Sequence, residues 1–224
     1  GIGFASFQHG AGFTGGGEVY LQSVVHVEGR ADGKVEILRA QTEMGQGQQT
    51  VFCKIAAEYL GFAPEDVIVP PPDTSRAPNS GPTVASRTTM IVGRLVERAC
   101  DDLRRQVEAP REGFGQTVGT RGGTKGGTQG EALHRAIQTW HREHPGGRLL
   151  GRAQYEKPPH VQWDDKTYRG DAYGAYAWAT YVAEVEVDLR TGSTRVLDFV
   201  AVQEIGKVLH EVLARGQIQG GVVQ

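Results

Sequence analysis

Hydrophobic and polar positions along the chain show two periodicities, which predict β-hairpins alternating with helices. Alternation with a period of two predicts strands over 1–7, 18–27, 35–39, 148–155, 176–187 and 194–202. Apolar residues at helical spacing predict helices over 48–61, 83–107, 131–144 and 208–214. Turn residues at 31–34 and 190–193 join neighbouring strands into hairpins. This mixture of antiparallel hairpins and helices indicates an α+β fold.

A glycine- and threonine-rich tract divides this pattern into two halves. We predict a first hairpin-plus-helix half over 1–108, a flexible linker over 109–130, and a second half over 131–224 that is truncated. Residues 121–128 of the tract share glycines, a lysine and threonines with phosphate-binding loops. They lack the Gly-Lys-Ser/Thr order and a preceding strand, so the linker interpretation is favoured.

Two turns built from small residues, each placed directly before a helix, are the leading candidates for a binding site. The first turn is 42–47, in which Gly45 and Gly47 flank Gln46, and the second is 79–88. A helix that begins on glycine, serine or threonine leaves unpaired backbone N–H groups with a partial positive charge behind them. Glycine also lets a ligand approach the backbone closely. Together the two turns predict one large, oxygen-rich, anionic ligand that is held from two sides.

The composition narrows the classes of function. The chain of 224 residues contains 32 glycines, about twice the usual share, which fits a loop-rich ligand cradle. A net charge of −2 without a basic run gives no reason to expect nucleic acid as a partner. We find no secretion signal and no apolar run of membrane-spanning length, so we expect a cytoplasmic protein with no membrane span. Cys53 and Cys100 are too few for an iron–sulfur cluster and are expected to be core thiols.

The two turns also carry a resemblance. Residues 44–47, followed by a helix and then by 79–88, resemble the molybdopterin-binding large subunit of the xanthine dehydrogenase/aldehyde oxidase family, the molybdenum hydroxylases. The similarity extends through 173–187 and 216–221, so the chain looks like an internal portion of that subunit. Carried over from the family, the cofactor-binding residues would be Gly45, Gln46, Gly47, Thr83, Val84, Ala85, Ser86, Thr88 and Gln217.

The resemblance also implies individual roles. Gln46 would hydrogen-bond the molybdenum end of the cofactor, and Gln217 would contact the pterin. Residues 83–88 would cap the pterin or its phosphate, with Ala85 packed near the metal. Phe13 stands where the family has an aromatic residue beside the substrate. No protein ligand to molybdenum is expected, because in the family the pterin holds the metal.

The function that the resemblance implies is an oxidoreductase. Such enzymes hydroxylate an aldehyde, a purine or another N-heterocycle with oxygen derived from water. The cofactor would be molybdopterin or molybdopterin cytosine dinucleotide. Iron–sulfur clusters and FAD are expected on partner domains or subunits, beside the remaining parts of the large subunit. The family's catalytic glutamate lies downstream of the position that corresponds to Gln224, so no catalytic residue is expected within this chain, and the chain alone is expected to be inactive.

Several alternatives stay open on the sequence. A non-catalytic binding module could keep this fold without the cofactor, and Gln46 could be a structural turn residue. His141 and His144 stand one helical turn apart and could bind zinc, although a solvated helix end is favoured. His9 is either a pocket residue or a turn residue. Residues 164–165 are adjacent aspartates in a polar loop, which favours exposed carboxylates over an acid–base pair.

Overall fold

The computed structural model describes residues 1–108 and 129–224, together with the backbone of Thr128. The strands are β1 (Ile2–Gly10), β2 (Val24–Gly29), β3 (Val35–Leu38), β4 (Val67–Ile68), β5 (Leu149–Gln154), β6 (Trp163–Asp164), β7 (Arg169–Gly170), β8 (Tyr176–Val187) and β9 (Thr194–Gln203). The helices are α1 (Gly17–Leu21), α2 (Gln48–Leu60), α3 (Gly93–Glu108), α4 (Thr128–Glu143) and α5 (Glu211–Val223). They form two compact units, one of residues 16–158 and one of residues 1–15 with 159–224. The predicted α+β class is confirmed.

The larger unit is a four-stranded sheet covered by helices. Its strand order is β4-β3-β2-β5, with β3 and β4 parallel and the other neighbours antiparallel. Alternate residues of β2 and β3 face α2 and α3 and form the apolar core with them. This core includes Val25, Val27, Val35, Ile37, Phe52, Ile55, Leu60, Leu95, Val96, Ala99 and Leu103.

Glycines set the ends of α2 and the distance between α3 and the sheet. Gly47 and Gly61 flank α2 with φ of 79° and 73°, left-handed values that glycine adopts without steric cost. Gly151 of β5 lies directly under α3, where an added Cβ would come within 2.1 Å of the carbonyl oxygen of Ala99. The absence of a side chain therefore lets α3 pack against the strand.

A buried ion pair anchors the segment that leads into α3. The Nε and Nη2 atoms of Arg87 donate to the two carboxylate oxygens of Glu18, each over 2.8 Å. Nη1 donates to the carbonyls of Ser80 and Pro82, and Nη2 also donates to the hydroxyl of Ser23. Arg87 has no exposed surface. One side chain thus ties residues 80–87 to α1 and to the start of β2.

The smaller unit is built on the three-stranded sheet β1-β8-β9. On one face, the ring of Tyr181 meets the rings of Phe7 and Phe199, and its hydroxyl donates to Gln203 over 2.7 Å. The opposite face carries large apolar side chains that are exposed within this unit, among them Phe4, Trp178 and Val202.

The structure corrects several predicted elements. The strand expected over 18–27 is the short helix α1 followed by β2, because Glu18 turns inward to Arg87. The helix expected from Thr83 begins at Thr88 with a π-helical turn (Thr88–Val92), because Ala85 and Ser86 are left-handed. The glycines of 216–221 do not end the last helix, and α5 runs through them.

The predicted halves also differ from the two units. β5 pairs with β2, and β1 pairs with β8, so the chain crosses twice between the predicted halves. Of the predicted linker, residues 109–127 lie outside the described part, whereas 128–130 begin α4. No helix within residues 1–108 and 128–224 is long and apolar enough to cross a membrane.

Gly151→Ala should destabilise the chain, since the new methyl group would collide with the backbone of α3. Overpacking of this kind costs about 1–3 kcal/mol. Gly216→Ala is the matched control, because its Cβ would meet no atom within 4 Å and alanine favours the helix. Urea denaturation monitored by circular dichroism measures both. Equal stability of Gly151→Ala and wild type would contradict the close packing.

Breaking the buried ion pair should be more damaging. Glu18→Gln or Arg87→Met leaves one buried charge without its partner, which costs about 3–5 kcal/mol. Arg195→Met, which removes an exposed ion pair with Glu186, should change stability by less than about 1 kcal/mol. The same denaturation experiment compares the three variants, and a similar loss for all of them would show that the buried pair has no special role.

Candidate functional site

The two predicted turns lie side by side in the larger unit. The backbone N–H of Thr42 donates to the hydroxyl of Thr83 over 2.9 Å, and that of Ala40 donates to the hydroxyl of Ser80 over 2.7 Å. The amide of Gln41 donates to the carbonyls of Ser80 and Gly81 over 2.8 and 2.9 Å. The structure therefore brings the two stretches together, as the sequence predicted.

Three backbone N–H groups of the first turn are already engaged by one side chain. One carboxylate oxygen of Glu43 accepts from Gly45 and Gly47 over 2.9 and 3.0 Å, and the other accepts from Gln49 over 3.1 Å. Desolvation favours the protonated acid, but these three bonds and the charge of Arg39 together hold the pKa of Glu43 below its usual range. The expectation of open N–H groups at this helix start was thus wrong for Gly45, Gly47 and Gln49, because a side chain of the turn itself caps them.

The side chain of Gln46 folds back onto the same turn. Its carbonyl oxygen accepts from the N–H of Met44 over 2.7 Å, and its amide donates to the carbonyl of Thr42 over 3.0 Å. The backbone beside it is open, since an added Cβ at Gly45 would meet no atom within 4 Å. In this structure Gln46 is a turn-stabilising residue, and its predicted contact with a cofactor stays a prediction.

The second turn has free donors and an unusual backbone. Ala85 and Ser86 adopt φ of 55° and 52°, although neither is glycine. Left-handed residues of this kind cost about 1–2 kcal/mol each and cluster at functional sites. Both residues are exposed, and within the described part of the chain their N–H groups donate no hydrogen bond. Successive N–H groups on such a bend form a concave anion-binding surface.

A group of buried polar side chains lies behind the first turn. The strand face that carries Val35 and Ile37 continues into Arg39 and Gln41, both at most 1 % exposed. The three guanidinium nitrogens of Arg39, the carbonyl oxygen of Gln41 and both amide atoms of Gln48 have no hydrogen-bond partner. Arg39 lies over the ring of Phe52 at 5.9 Å, and desolvation lowers the pKa of the guanidinium.

The remaining predicted site residues lie in the smaller unit. Phe13 is partly exposed on the loop after β1, where Thr14 shares a 2.7 Å hydrogen bond with the hydroxyl of Tyr173. Gln217 lies on the exposed surface of α5, and not in a turn. Their predicted contacts with substrate and pterin stay predictions.

The other candidates resolve mostly as structural residues. His9 is the next-to-last residue of β1. His141 and His144 hydrogen-bond the backbone carbonyls of Gly29 and Trp140. Asp164 caps its own turn through Lys166 and Thr167, and Asp165 accepts from the indole N–H of Trp163. In the described part of the chain, no three His, Cys, Asp or Glu side chains are arranged to hold a metal ion.

The sequence reasoning missed three residues that shape the site. Glu43 had a readable signal, since an acidic residue a few positions before a helix can cap its N–H groups. Arg87 was inside the second motif, but its partner Glu18 lies in a stretch predicted to be a strand. Arg39 had no signal, because a strand residue that is charged is normally expected to face solvent.

Comparison with known proteins identifies the family to which the chain is similar. The model of the molybdopterin cofactor-binding domain family matches residues 1–224. The aldehyde oxidoreductase of Megalodesulfovibrio gigas is 27 % identical over the whole chain, which covers 22 % of that protein. The xanthine dehydrogenase/oxidase of Felis catus is 25 % identical over 90 % of the chain, which covers 14 % of that protein.

A solved structure gives the same result. The crystal structure of the aldehyde oxidoreductase from Desulfovibrio desulfuricans superposes with a TM-score of 0.76 and 28 % identity, over 99 % of this chain and 22 % of that one. The chain thus spans less than a quarter of the length of these relatives. Because the family model covers every residue, the chain belongs to the molybdopterin cofactor-binding domain family, as its resemblance to the molybdenum hydroxylases indicated.

Proposed function

We propose that this chain is the cofactor-holding part of a molybdenum hydroxylase that oxidises an aldehyde, a purine or another N-heterocycle with oxygen derived from water. The observation that carries the proposal is the direct contact between the two turns, in which the backbone of Thr42 donates to the side chain of Thr83. One ligand can therefore meet both turns at once. Membership in the family and the names of the oxidoreductase relatives support the proposal.

The residues present fit an oxygen-rich organic anion. The open N–H groups of Ala85 and Ser86 and the hydroxyl of Ser86 are hydrogen-bond donors on an exposed bend. Gly45 leaves open space on the neighbouring turn. Val84, which is half exposed, offers an apolar surface beside the donors for a flat ring system. Donors next to an apolar patch match a pterin that carries a phosphate.

Each part of the site has a separate task in this proposal. When bound, the molybdenum pterin supplies the metal-centred oxidation chemistry. Residues 83–88 would bind its phosphate or pterin oxygens, and Gln46 would hydrogen-bond the cofactor. Gln217 would contact the pterin, and Phe13 would flank the substrate. The catalytic base, the iron–sulfur clusters and the flavin are supplied by other parts of the enzyme, since this chain corresponds to less than a quarter of its relatives.

A non-catalytic binding module is the second candidate. The observation that favours it is the self-contained first turn, where Glu43 and Gln46 satisfy the backbone without any ligand. A protein that had lost the cofactor could keep such a turn. Cofactor content separates the two candidates.

The holoenzyme purified from its source organism through a tag on this chain should contain about one molybdenum per copy, as expected for a cofactor-binding domain. Metal analysis measures the content, and reduction of an artificial dye with an aldehyde or a purine measures the activity. A folded, complete complex without molybdenum or releasable pterin would favour the binding module.

Ser86→Asp should weaken retention of the pterin at least about tenfold, because it places a negative charge on the open donors. Ser86→Asn is the matched control, since asparagine has the same shape and also tolerates the left-handed backbone. Fluorescence of the pterin released from each purified holoenzyme measures retention. Equal pterin content in the two variants would show that no anion lies against this bend.

A further inference from the structure

The sheet of the larger unit has an edge strand whose outer side faces no other strand. In the described part of the chain β5 pairs with β2 alone. Just beyond β5, the N–H of Tyr155 donates to the carbonyl of Ser23 on the β2 side over 2.8 Å. Because backbone groups alternate in direction along an antiparallel strand, those of Leu150, Arg152 and Gln154 point away from β2. Unpaired groups in such a row are a template for another strand.

Three polar side chains of α3 engage this outer side of β5. One donates to the carbonyl of Leu150 over 3.0 Å, the next accepts from the N–H of Arg152 over 2.9 Å, and the third donates to the carbonyl of Gln154 over 3.0 Å. They are spaced four residues apart, so they lie on one side of the helix. In the same order they are Gln106, Asp102 and Arg98, which we call the edge stripe.

The close approach of α3 to β5 makes these bonds possible. Gly151 lies between two of the bonded strand residues, and an added Cβ there would come within 2.1 Å of the carbonyl oxygen of Ala99. A larger residue at this position would push α3 away from the strand. The edge stripe reaches the strand because the helix lies this close.

The edge stripe covers β5 without filling the space beside it. A cavity of about 280 Å³ lies there, lined by Arg98, Asp102 and Arg105 from α3 and by residues 152–154 and Glu156. Arg98 also pairs with Glu156 over 3.0 Å, but this pair is accessible to solvent and therefore contributes little stability. Polar side chains, rather than a packed apolar layer, separate the edge of β5 from solvent.

A second copy of β5 is the strand that fits this edge best. Most homodimers have twofold symmetry, and an antiparallel pair of identical strands has it. The register that uses all three outward residues has its axis at Arg152, so that Leu150 of each copy faces Gln154 of the other. Arg152 then faces its own counterpart. Its side chain is exposed, and like charges directly opposite each other destabilise a strand pair.

We propose that the edge stripe and Arg152 together close β5 against strand addition, and that the strand they exclude is β5 of a second copy. The edge stripe occupies backbone groups that an incoming strand needs, and Arg152 sets two positive charges against each other in the best register. The edge stripe lies outside both turns of the candidate site, so its role is independent of the cofactor.

Replacing the edge stripe by alanine (Arg98→Ala, Asp102→Ala and Gln106→Ala together) should strengthen self-association of the 224-residue chain at least about tenfold, because three outward backbone groups lose their internal partners. Sedimentation velocity over a concentration series measures the monomer–dimer equilibrium, and circular dichroism confirms that α3 is retained. Unchanged self-association would overturn the proposal. If the triple variant does not fold, Asp102→Ala alone decides, with an expected strengthening of roughly threefold.

The matched control is Arg94→Ala combined with Glu97→Ala, which removes an exposed ion pair of the same helix and, like the triple variant, leaves the net charge unchanged. It should leave self-association unchanged, because neither side chain bonds β5. Association through the exposed apolar face of the smaller unit is common to all these proteins and does not affect the comparison. An equal strengthening in the control would overturn the proposal, since the effect would then not belong to the edge.

A mixing experiment tests the register. In the chain with the alanine-substituted stripe, a mixture of the Arg152 form and the Arg152→Glu form should associate roughly threefold more tightly than either form alone, because opposite charges then face each other across the axis. Energy transfer between fluorescently labelled forms measures the mixed dimer. If mixing gives no advantage, the copies meet through another surface and the proposal is overturned.

Discussion

The structure of the candidate site depends on the buried pair of Arg87 and Glu18. The two side chains meet through two parallel hydrogen bonds, and the remaining donors of Arg87 reach Ser23 and the carbonyls of Ser80 and Pro82. A buried pair with every donor engaged gains little over an apolar replacement, but it is costly to break. Its effect here is geometric: it pulls one side of the second turn into the protein and leaves the opposite side, with Ala85 and Ser86, at the surface.

The two turns differ in how their backbone N–H groups are engaged. The second turn is held from behind and keeps its donors open, whereas the first turn satisfies its own donors with Glu43 and Gln46. The strand that precedes the first turn also differs from an ordinary core strand. Its buried face carries the apolar residues Val35 and Ile37 and then the polar residues Arg39 and Gln41. The apolar core thus ends under one turn in a polar group with incomplete hydrogen bonding. Backbone donors, the carboxylate of Glu43 that caps them and the buried cation of Arg39 together give this edge of the core its chemical character.

Much of the fold followed from local patterns, and the failures have physical causes. The bounds of α2 were predicted because Gly47 and Gly61 bracket a helical repeat of apolar residues. The hairpin of β8 and β9 was predicted because alternation and a turn sequence agree. α1 was missed because Glu18 points inward only through Arg87, a partner 69 residues away. The pairing of β5 with β2 could not be predicted either, since the residues of a strand do not indicate which other strand it pairs with.

The site shows the same division. The two motifs and their proximity were predictable, but not the state of their donors. Whether an N–H group is open depends on which nearby side chain reaches it, and Glu43 does so through three bonds that span six residues. The burial of Arg39 without a hydrogen-bond partner was still harder to predict, because buried charges are normally paired.

The left-handed conformation of Ala85 and Ser86 depends on the rest of the protein. Neither residue favours that backbone in a free peptide, and the segment around it is held by Glu18, Ser23 and Thr42, which come from three other parts of the chain. An excised copy of the loop, or one transplanted onto a foreign scaffold, would relax to an ordinary turn. The motif can be recognised in a short stretch of sequence, but its backbone conformation depends on contacts from the rest of the larger unit.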